Sequence, residues 1–211
     1  MTISAPRAGD PIGGAIILAA GSGTRFGADK RRATLPSGIT LLAATVQRYA
    51  EVFDHLIVML RDDEHALAET LYRYCAAPTQ TIAFAQRASG GMGYTLADAI
   101  AIVPNTWQFV FIALGDMPFI THTTLRRLRG EMIRSTSASP AGCIVQPLCN
   151  ATPGHPVGFS RVFFSELAAL TEDRGARSVV QAHAGALRRI VLDDSGIVTD
   201  VDTPAALPTA H

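Results

Sequence analysis

Lys30 is the single lysine in the chain; the other 17 of its 18 basic residues are arginine. It closes the run LAAGSGTRFGADK, from Leu18 to Lys30. Glycines at 21, 23 and 27 directly follow an apolar stretch. Glycine lets backbone N–H groups approach an anion where a side chain would block them. Arg25 and Lys30 add two cations, so this run can hold phosphates. It is not a P-loop, because no Gly-Lys-Ser/Thr ends it. It is not the dinucleotide fingerprint either. Its G-x-G-x-x-x-G spacing is one residue too long, and no acidic residue lies about 20 positions on at a strand end. The plain alternative is a glycine-rich turn with solvated charges.

Other polar clusters follow apolar runs. In LGDMP, Leu114–Pro118, Asp116 follows a strongly apolar segment. A lone carboxylate there can hold Mg²⁺, which takes one or two carboxylates plus substrate phosphates; otherwise it caps a turn. In DVDTP, Asp200 and Asp202 alternate, so in a strand both would point to one face. The alternative is that Asp202 caps a short helix begun by Pro204. Pro153-Gly154-His155-Pro156 is a rigid polar turn, in which His155 is either a ligand-facing or a satisfied imidazole. Asp173-Arg174-Gly175-Ala176-Arg177 opens a helix. Asp173 can cap it, or Arg177 and the helix amides can meet an anion.

The elements that must position these groups alternate in type. Gly14–Ala20, His55–Leu60 and Gln108–Leu114 predict buried strands, and Thr81–Ala85 a shorter one. Leu41–Val52, Glu64–Cys75, Leu96–Val103 and Thr123–Arg134 predict helices, the last with Thr121 as its N-cap. STSASPAG, from Ser135, reads as a surface loop. A strand at Cys143–Leu148, an extended segment from Pro153 to Phe159 and helices at Arg161–Leu170 and Ala176–His183 follow. Leu187–Leu192 and Val198–Val201 close the pattern. This β-α-β-α order predicts an α/β fold with a mostly parallel sheet covered on both faces. In such sheets ligands bind beyond the carboxyl ends of the strands, where the first three polar clusters fall.

With 211 residues, the chain suits one domain. We read residues 1–12 as a loose tail and 13–208 as a single domain. Formal net charge is zero, which argues against nucleic acid or an anionic membrane as partner. Cys75, Cys143 and Cys149 form no C-x-x-C pair and predict a reduced, cytoplasmic protein. The apolar run from Ile12 to Ala20 reads as a strand rather than a signal peptide, since Asp10 stands where the basic region should be.

Taken together, LAAGSGTRFGADK, GMGYTL, LGDMP, PGHPV, DRGAR and DVDTP resemble, in this order, the MobA-like NTP transferases, most closely the molybdenum cofactor cytidylyltransferases. The likeness runs from Leu18 to Pro204. It implies a three-layer, Rossmann-like fold of the nucleotide-diphospho-sugar transferase type, with Mg²⁺ as cofactor. The implied reaction moves CMP from CTP to the terminal phosphate of molybdopterin cofactor and releases pyrophosphate. The guanylyl branch of the family begins LAGG; Ala19, Ala20 and Gly21 match the cytidylyl LAAG start. By the same likeness, Leu18, Ala19, Ala20, Gly21, Gly23, Arg25, Lys30, Gly93 and Thr95 bind the nucleotide. Arg25, Lys30 and Asp116 are its catalytic groups, and Asp116 with Asp202, alongside Asp200, holds the metal. His155 and Arg177 face the acceptor. A molybdoenzyme or its maturation factor is the implied onward partner.

Two departures bear on the acceptor. The family continues after the first lysine with L-x-P-x-x-G-K-P-L-L; here Leu35-Pro36-Ser37-Gly38-Ile39 lacks the second lysine. Arg31 and Arg32 stand where apolar residues are usual. The same fold using GTP or another phosphorylated acceptor is one alternative, and a non-catalytic cofactor-binding maturation protein is another.

Overall fold

Gly13–Leu18 is buried at every position and forms β1, the strand on which the sheet is organised. The computed structural model describes residues 9–21, 29–74, 79–171 and 175–201. After β1 come α1 (Leu41–Ala50), β2 (His55–Arg61), α2 (His65–Tyr72), β3 (Thr79–Ala85), α3 (Met92–Ala101) and β4 (Phe109–Leu114). The chain continues through α4 (His122–Ala138), β5 (Ile144–Cys149), β6 (Thr152–Pro153), β7 (Val157–Ser160), α5 (Phe164–Ala168), α6 (Arg177–Ala182) and β8 (Leu187–Val191). The sheet order is β3-β2-β1-β4-β7-β5-β6, with β8 on β5.

Strands β1 to β4 are mutually parallel where they pair. Their side chains alternate between two cores, as the two-residue period of a strand requires. Ala15, Ile17, Phe109 and Phe111 pack with α1, α2 and α4 on one face. Ile16, Leu18, Val110 and Ile112 pack with α3, α5 and α6 on the other. The result is three layers, with helices on both faces. The chain runs outward from β1 through β2 to β3, then returns to lay β4 on the far side of β1. The crevice at that reversal is where ligands bind in open α/β sheets.

Beyond β4 the direction changes. β7 is antiparallel to β4, with Val157 opposite Ile112. The residues before β7, rather than after it, therefore lie at the carboxyl end of β4. This carries the Gly154-His155-Pro156 turn to the crevice.

Several boundaries differ from the sequence reading. α3 starts at Met92, so GMGYTL is the first turn of a helix, with Gly91 ahead of it at φ 110°. α2 ends at Tyr72, and Glu64 precedes it without capping it. α4 runs through Ser135–Ala138, part of the expected loop. Ser135 Oγ there donates to Glu131 (3.0 Å) and Ser137 Oγ to the Ile133 carbonyl (3.0 Å), so the hydroxyls bond back into the helix. The expected helix at Arg161–Leu170 is a 3-10 turn, Arg161–Phe163, leading into α5. Val198–Val201 is not a strand; a 3-10 turn at Ser195–Ile197 precedes it instead.

Asp194 clasps that last segment to the start of α4. One oxygen accepts from the Thr121 N–H (3.0 Å) and hydroxyl (2.9 Å), the other from the Gly196 N–H (3.0 Å). Thr121 in turn caps α4 as predicted, accepting from the Thr124 N–H at 3.2 Å. Burial alone would raise the Asp194 pKa; hydrogen bonds from Thr124, Thr121 and Gly196 outweigh it and hold the carboxyl below its ordinary 3.8. A depressed carboxyl stabilises the fold above its unfolded pKa, and that stabilisation is lost as pH falls through the folded value. The stability gap between wild type and Asp194→Asn, measured by urea unfolding, should therefore hold above pH 3.8 and shrink below it. A gap that stays constant into strong acid contradicts this.

The β5–β6 turn supplies a second test. Its central residues, Asn150 and Ala151, lie at φ 48° and φ 64°, as a two-residue turn with both residues left-handed demands. Alanine is strained there. Ala151→Gly should raise stability by about 0.5–1 kcal/mol, the relief of strain less the added chain entropy. An unchanged or lower urea midpoint contradicts it.

Candidate functional site

Leu18 and Leu114 end β1 and β4 side by side. Beyond them Gly115 N–H donates to the Leu18 carbonyl at 3.0 Å. A Cβ on Gly115 would stand 2.9 Å from Ala19 Cβ and 3.0 Å from Leu42, so only glycine lets the two strand ends approach this closely. The next residue is Asp116. Lys30 reaches it from the other strand's loop, Nζ to Oδ2 at 2.6 Å, with both side chains mostly shielded from solvent.

Two further segments close on Asp116. The Val201 N–H donates to the Asp116 carbonyl at 3.2 Å, which sets Asp200 at the site. Asp200 does not lie in a strand, and Asp202, expected beside it on one strand face, lies outside the described residues. His155 comes from the turn before β7. Its N–H donates to the Ile197 carbonyl at 2.8 Å. Gly154 makes this possible, since a Cβ there would lie 2.3 Å from the Ile197 oxygen. Burial holds the His155 ring below its ordinary pKa, against a bond to the Ile112 backbone and the charges of Asp116 and Asp200.

Asp116 Oδ1 and His155 Nδ1 are buried without a hydrogen-bond partner among the described residues. Leaving such atoms unpaired costs about 1–3 kcal/mol each, and a group bound in the crevice would satisfy both. Among the described residues no three His, Cys, Asp or Glu side chains gather as a closed metal cage. One orphaned carboxylate oxygen with Asp200 nearby instead fits a hard cation that keeps open positions for phosphate oxygens.

Leu18, Ala19 and Ala20 are buried beneath this group and Gly21 is exposed. Gly93 and Thr95 are buried in the first turn of α3, where the Thr95 hydroxyl faces the Gly91 carbonyl (3.4 Å). Met92 abuts Gly175, which joins the start of α3 to the segment leading into α6. Arg177 is exposed as the first residue of α6. No hydrogen bond or ion pair among the described residues ties it directly to His155. Gly23, Arg25 and Asp173 lie outside the described residues.

The sequence reading missed the support beneath Lys30. Arg31 is buried and pairs with Asp29 and Glu64 while donating to the Ala19 carbonyl. Glu64 also accepts from the Arg61 N–H (3.0 Å) and side chain (2.8 Å). Burial would lower the Arg31 pKa, but its bonds to Asp29 and Glu64 raise it overall. Burial likewise would raise that of Asp29, and Arg31 brings it below its ordinary value. Removing one partner of so buried a pair costs about 3–5 kcal/mol. The available clue was a charged residue where the family pattern is apolar.

Comparison with known proteins supports a common origin for this arrangement. The sequence model of the MobA-like NTP transferase domain matches residues 15–187. Among solved structures, Rv0371c of Mycobacterium tuberculosis H37Rv is 27% identical, with a TM-score of 0.73 over 93% of this chain and 96% of that one. A second structure of it, a complex with manganese, is 26% identical, with a TM-score of 0.66 over 86% of this chain and 88% of that one. The 4-diphosphocytidyl-2C-methyl-D-erythritol synthase of Anaerococcus prevotii shares the fold, with a TM-score of 0.70 over 93% of each chain at 12% identity. The bifunctional protein GlmU of Geobacter metallireducens is 30% identical over 177 residues, 78% of this chain and 35% of that protein. This chain spans about a third of the length of the curated relatives it matches. Its fold is of the nucleotide-diphospho-sugar transferase type, and the chain belongs to the nucleotidyltransferase family of MobA-like NTP transferase domains.

Proposed function

We propose that the chain transfers CMP from CTP to the terminal phosphate of molybdopterin cofactor, with Mg²⁺, and releases pyrophosphate. The observation that carries this reading is the 2.6 Å approach of Lys30 to Asp116 at the chain reversal between β1 and β4. One cation and one carboxylate meet there beside an orphaned carboxylate oxygen, which suits a triphosphate and its metal. The manganese complex of Rv0371c supports a divalent ion in this fold, and the Ala19-Ala20-Gly21 start supports cytosine.

The chemistry needs little from side chains beyond charge and position. The acceptor phosphate is largely dianionic at pH 7, since its second pKa is about 6, so no general base is required. Its oxygen bonds to the α-phosphorus as the bond to the β-phosphate oxygen breaks, and pyrophosphate leaves. Mg²⁺, held by Asp116 with Asp200 or Asp202, would draw charge off the phosphates. Lys30, with Arg25 from the glycine-rich run, would bind the departing pyrophosphate. His155, neutral at pH 7 through burial, would meet the acceptor without adding charge. Gly93 and Thr95 at the start of α3 would border the base, and Arg177 would serve the acceptor from the α6 side.

A second reading keeps the fold and changes the substrates. It is favoured by Ile39 after Gly38, where the family carries its second lysine. Another phosphorylated acceptor would then be used; GTP in place of CTP is the variant of this reading on the donor side.

A panel of nucleotides and phosphorylated acceptors, assayed for pyrophosphate release, separates these readings. We expect CTP with molybdopterin cofactor to exceed GTP. Asp116→Ala should cut turnover by about 100-fold or more, and unchanged turnover refutes its role. Lys30→Arg should impair transfer more than a lysine at the exposed Arg126 or Arg127 of α4, because a planar fork does not replace a compact ammonium among phosphates. Tight cofactor binding without any pyrophosphate would favour a carrier protein instead.

A further inference from the structure

The buried cluster beneath Lys30 has more to say about the reaction. We infer that Arg31 is a positioning residue for nucleotide transfer: through Glu64 and Asp29 it fixes where the Lys30 ammonium stands. The transfer itself rests on the reading above; the placement of Lys30 does not.

All five N–H bonds of the Arg31 guanidinium are used. Nε donates to Asp29 Oδ1 at 2.8 Å. Nη1 donates to Glu64 Oε2 at 2.7 Å and to the Ala19 carbonyl. Nη2 donates to Asp29 Oδ2 at 2.9 Å and to Glu64 Oε1. The Arg31 backbone N–H also donates to Asp29 Oδ1 at 3.2 Å. The guanidinium thus joins three segments: the end of β1 at Ala19, the 3-10 turn Lys30–Arg32, and the β2–α2 connection at Glu64. Ala19 is anchored in turn to β2, its N–H donating to the Met59 carbonyl at 2.9 Å.

Lys30 sits between two members of this cluster in sequence. Its backbone cannot shift without moving Asp29 and Arg31, which are tied to the sheet. The cluster also disposes of competing charge. Asp29 is the carboxylate nearest Lys30 in sequence, and both its oxygens are taken by Arg31. The Lys30 ammonium reaches across to Asp116 instead. Only an arginine fork can serve two carboxylates and a carbonyl at once.

The single lysine makes this directly measurable. Protein labelled with ¹³C,¹⁵N-lysine gives one lysine side-chain signal by NMR, from Lys30, with no nucleotide required. We expect Arg31→Gln, and Glu64→Gln as the milder variant should the first not fold, to move that signal. Each should also raise the KM for the nucleoside triphosphate about tenfold or more, with the acceptor KM within about twofold. Arg129→Gln, which cuts the bonds to Val52 and Asp54 on the α4 side, should lower thermal stability without either change. In a Lys30→Met background Arg31→Gln should add little further loss of triphosphate affinity.

An unmoved Lys30 signal with an unchanged triphosphate KM, in folded Arg31→Gln or Glu64→Gln, overturns the inference. So do fully additive losses in the Lys30→Met background. A Lys30 signal that moves in a chain that transfers no nucleotide upholds the placement and overturns the transfer reading alone.

Discussion

The structure depends on the parallel pairing of β1 with β4. Their register sets Leu18 against Leu114, and everything chemical follows from what comes next on each strand. Parallel strands send both of their following loops to the same edge of the sheet, and the chain reversal between them leaves a crevice that no crossover helix covers. Gly115 removes the one Cβ that would hold the two ends apart. Asp116 and Lys30 then meet across a gap that the backbone has already closed. The antiparallel entry of β7 adds His155 from the opposite direction, and the bond from Val201 brings in Asp200.

Charge in this region is arranged in two tiers. The lower tier is Arg31 with Asp29 and Glu64, joined by Arg61; its Arg31–Glu64 pair is buried and bidentate, and every N–H of the Arg31 guanidinium is used. Buried ion pairs contribute little net stability against an apolar equivalent and are most useful for fixing one arrangement. The upper tier is Lys30 with Asp116, still partly open to solvent and left with a carboxylate oxygen that has no hydrogen-bond partner among the described residues. A saturated guanidinium under an incompletely satisfied pair is what a site needs if it is to hold its shape and still gain from a ligand.

Much of this was legible in the sequence. Buried parallel strands read as continuous apolar runs, so β1, β2 and β4 lie within two residues of their predicted spans. Thr121 marked the start of α4 because a capping hydroxyl has a local cause. Spacing placed Lys30 and Asp116 at strand ends but could not say that they touch, since that depends on strand order. The antiparallel β7 was hidden because direction is a property of pairing and not of a four-residue segment. Ser135–Ala138 misled because the weak helix propensity of serine is overridden here, with Ser135 buried against the fold and both hydroxyls bonded back into the helix. Arg31 was visible only as an anomaly, for its partner Glu64 is remote in sequence and looked like a helix start.

Cleavage of a nucleoside triphosphate between its α and β phosphates is the reaction we propose for this crevice. ³¹P NMR of the chain with CTP, Mg²⁺ and molybdopterin cofactor observes that bond directly. Free pyrophosphate is expected to appear while the nucleotide's own α-phosphorus enters a new pyrophosphate diester with the acceptor. Orthophosphate with CDP, or CTP left intact beside bound cofactor, would contradict it.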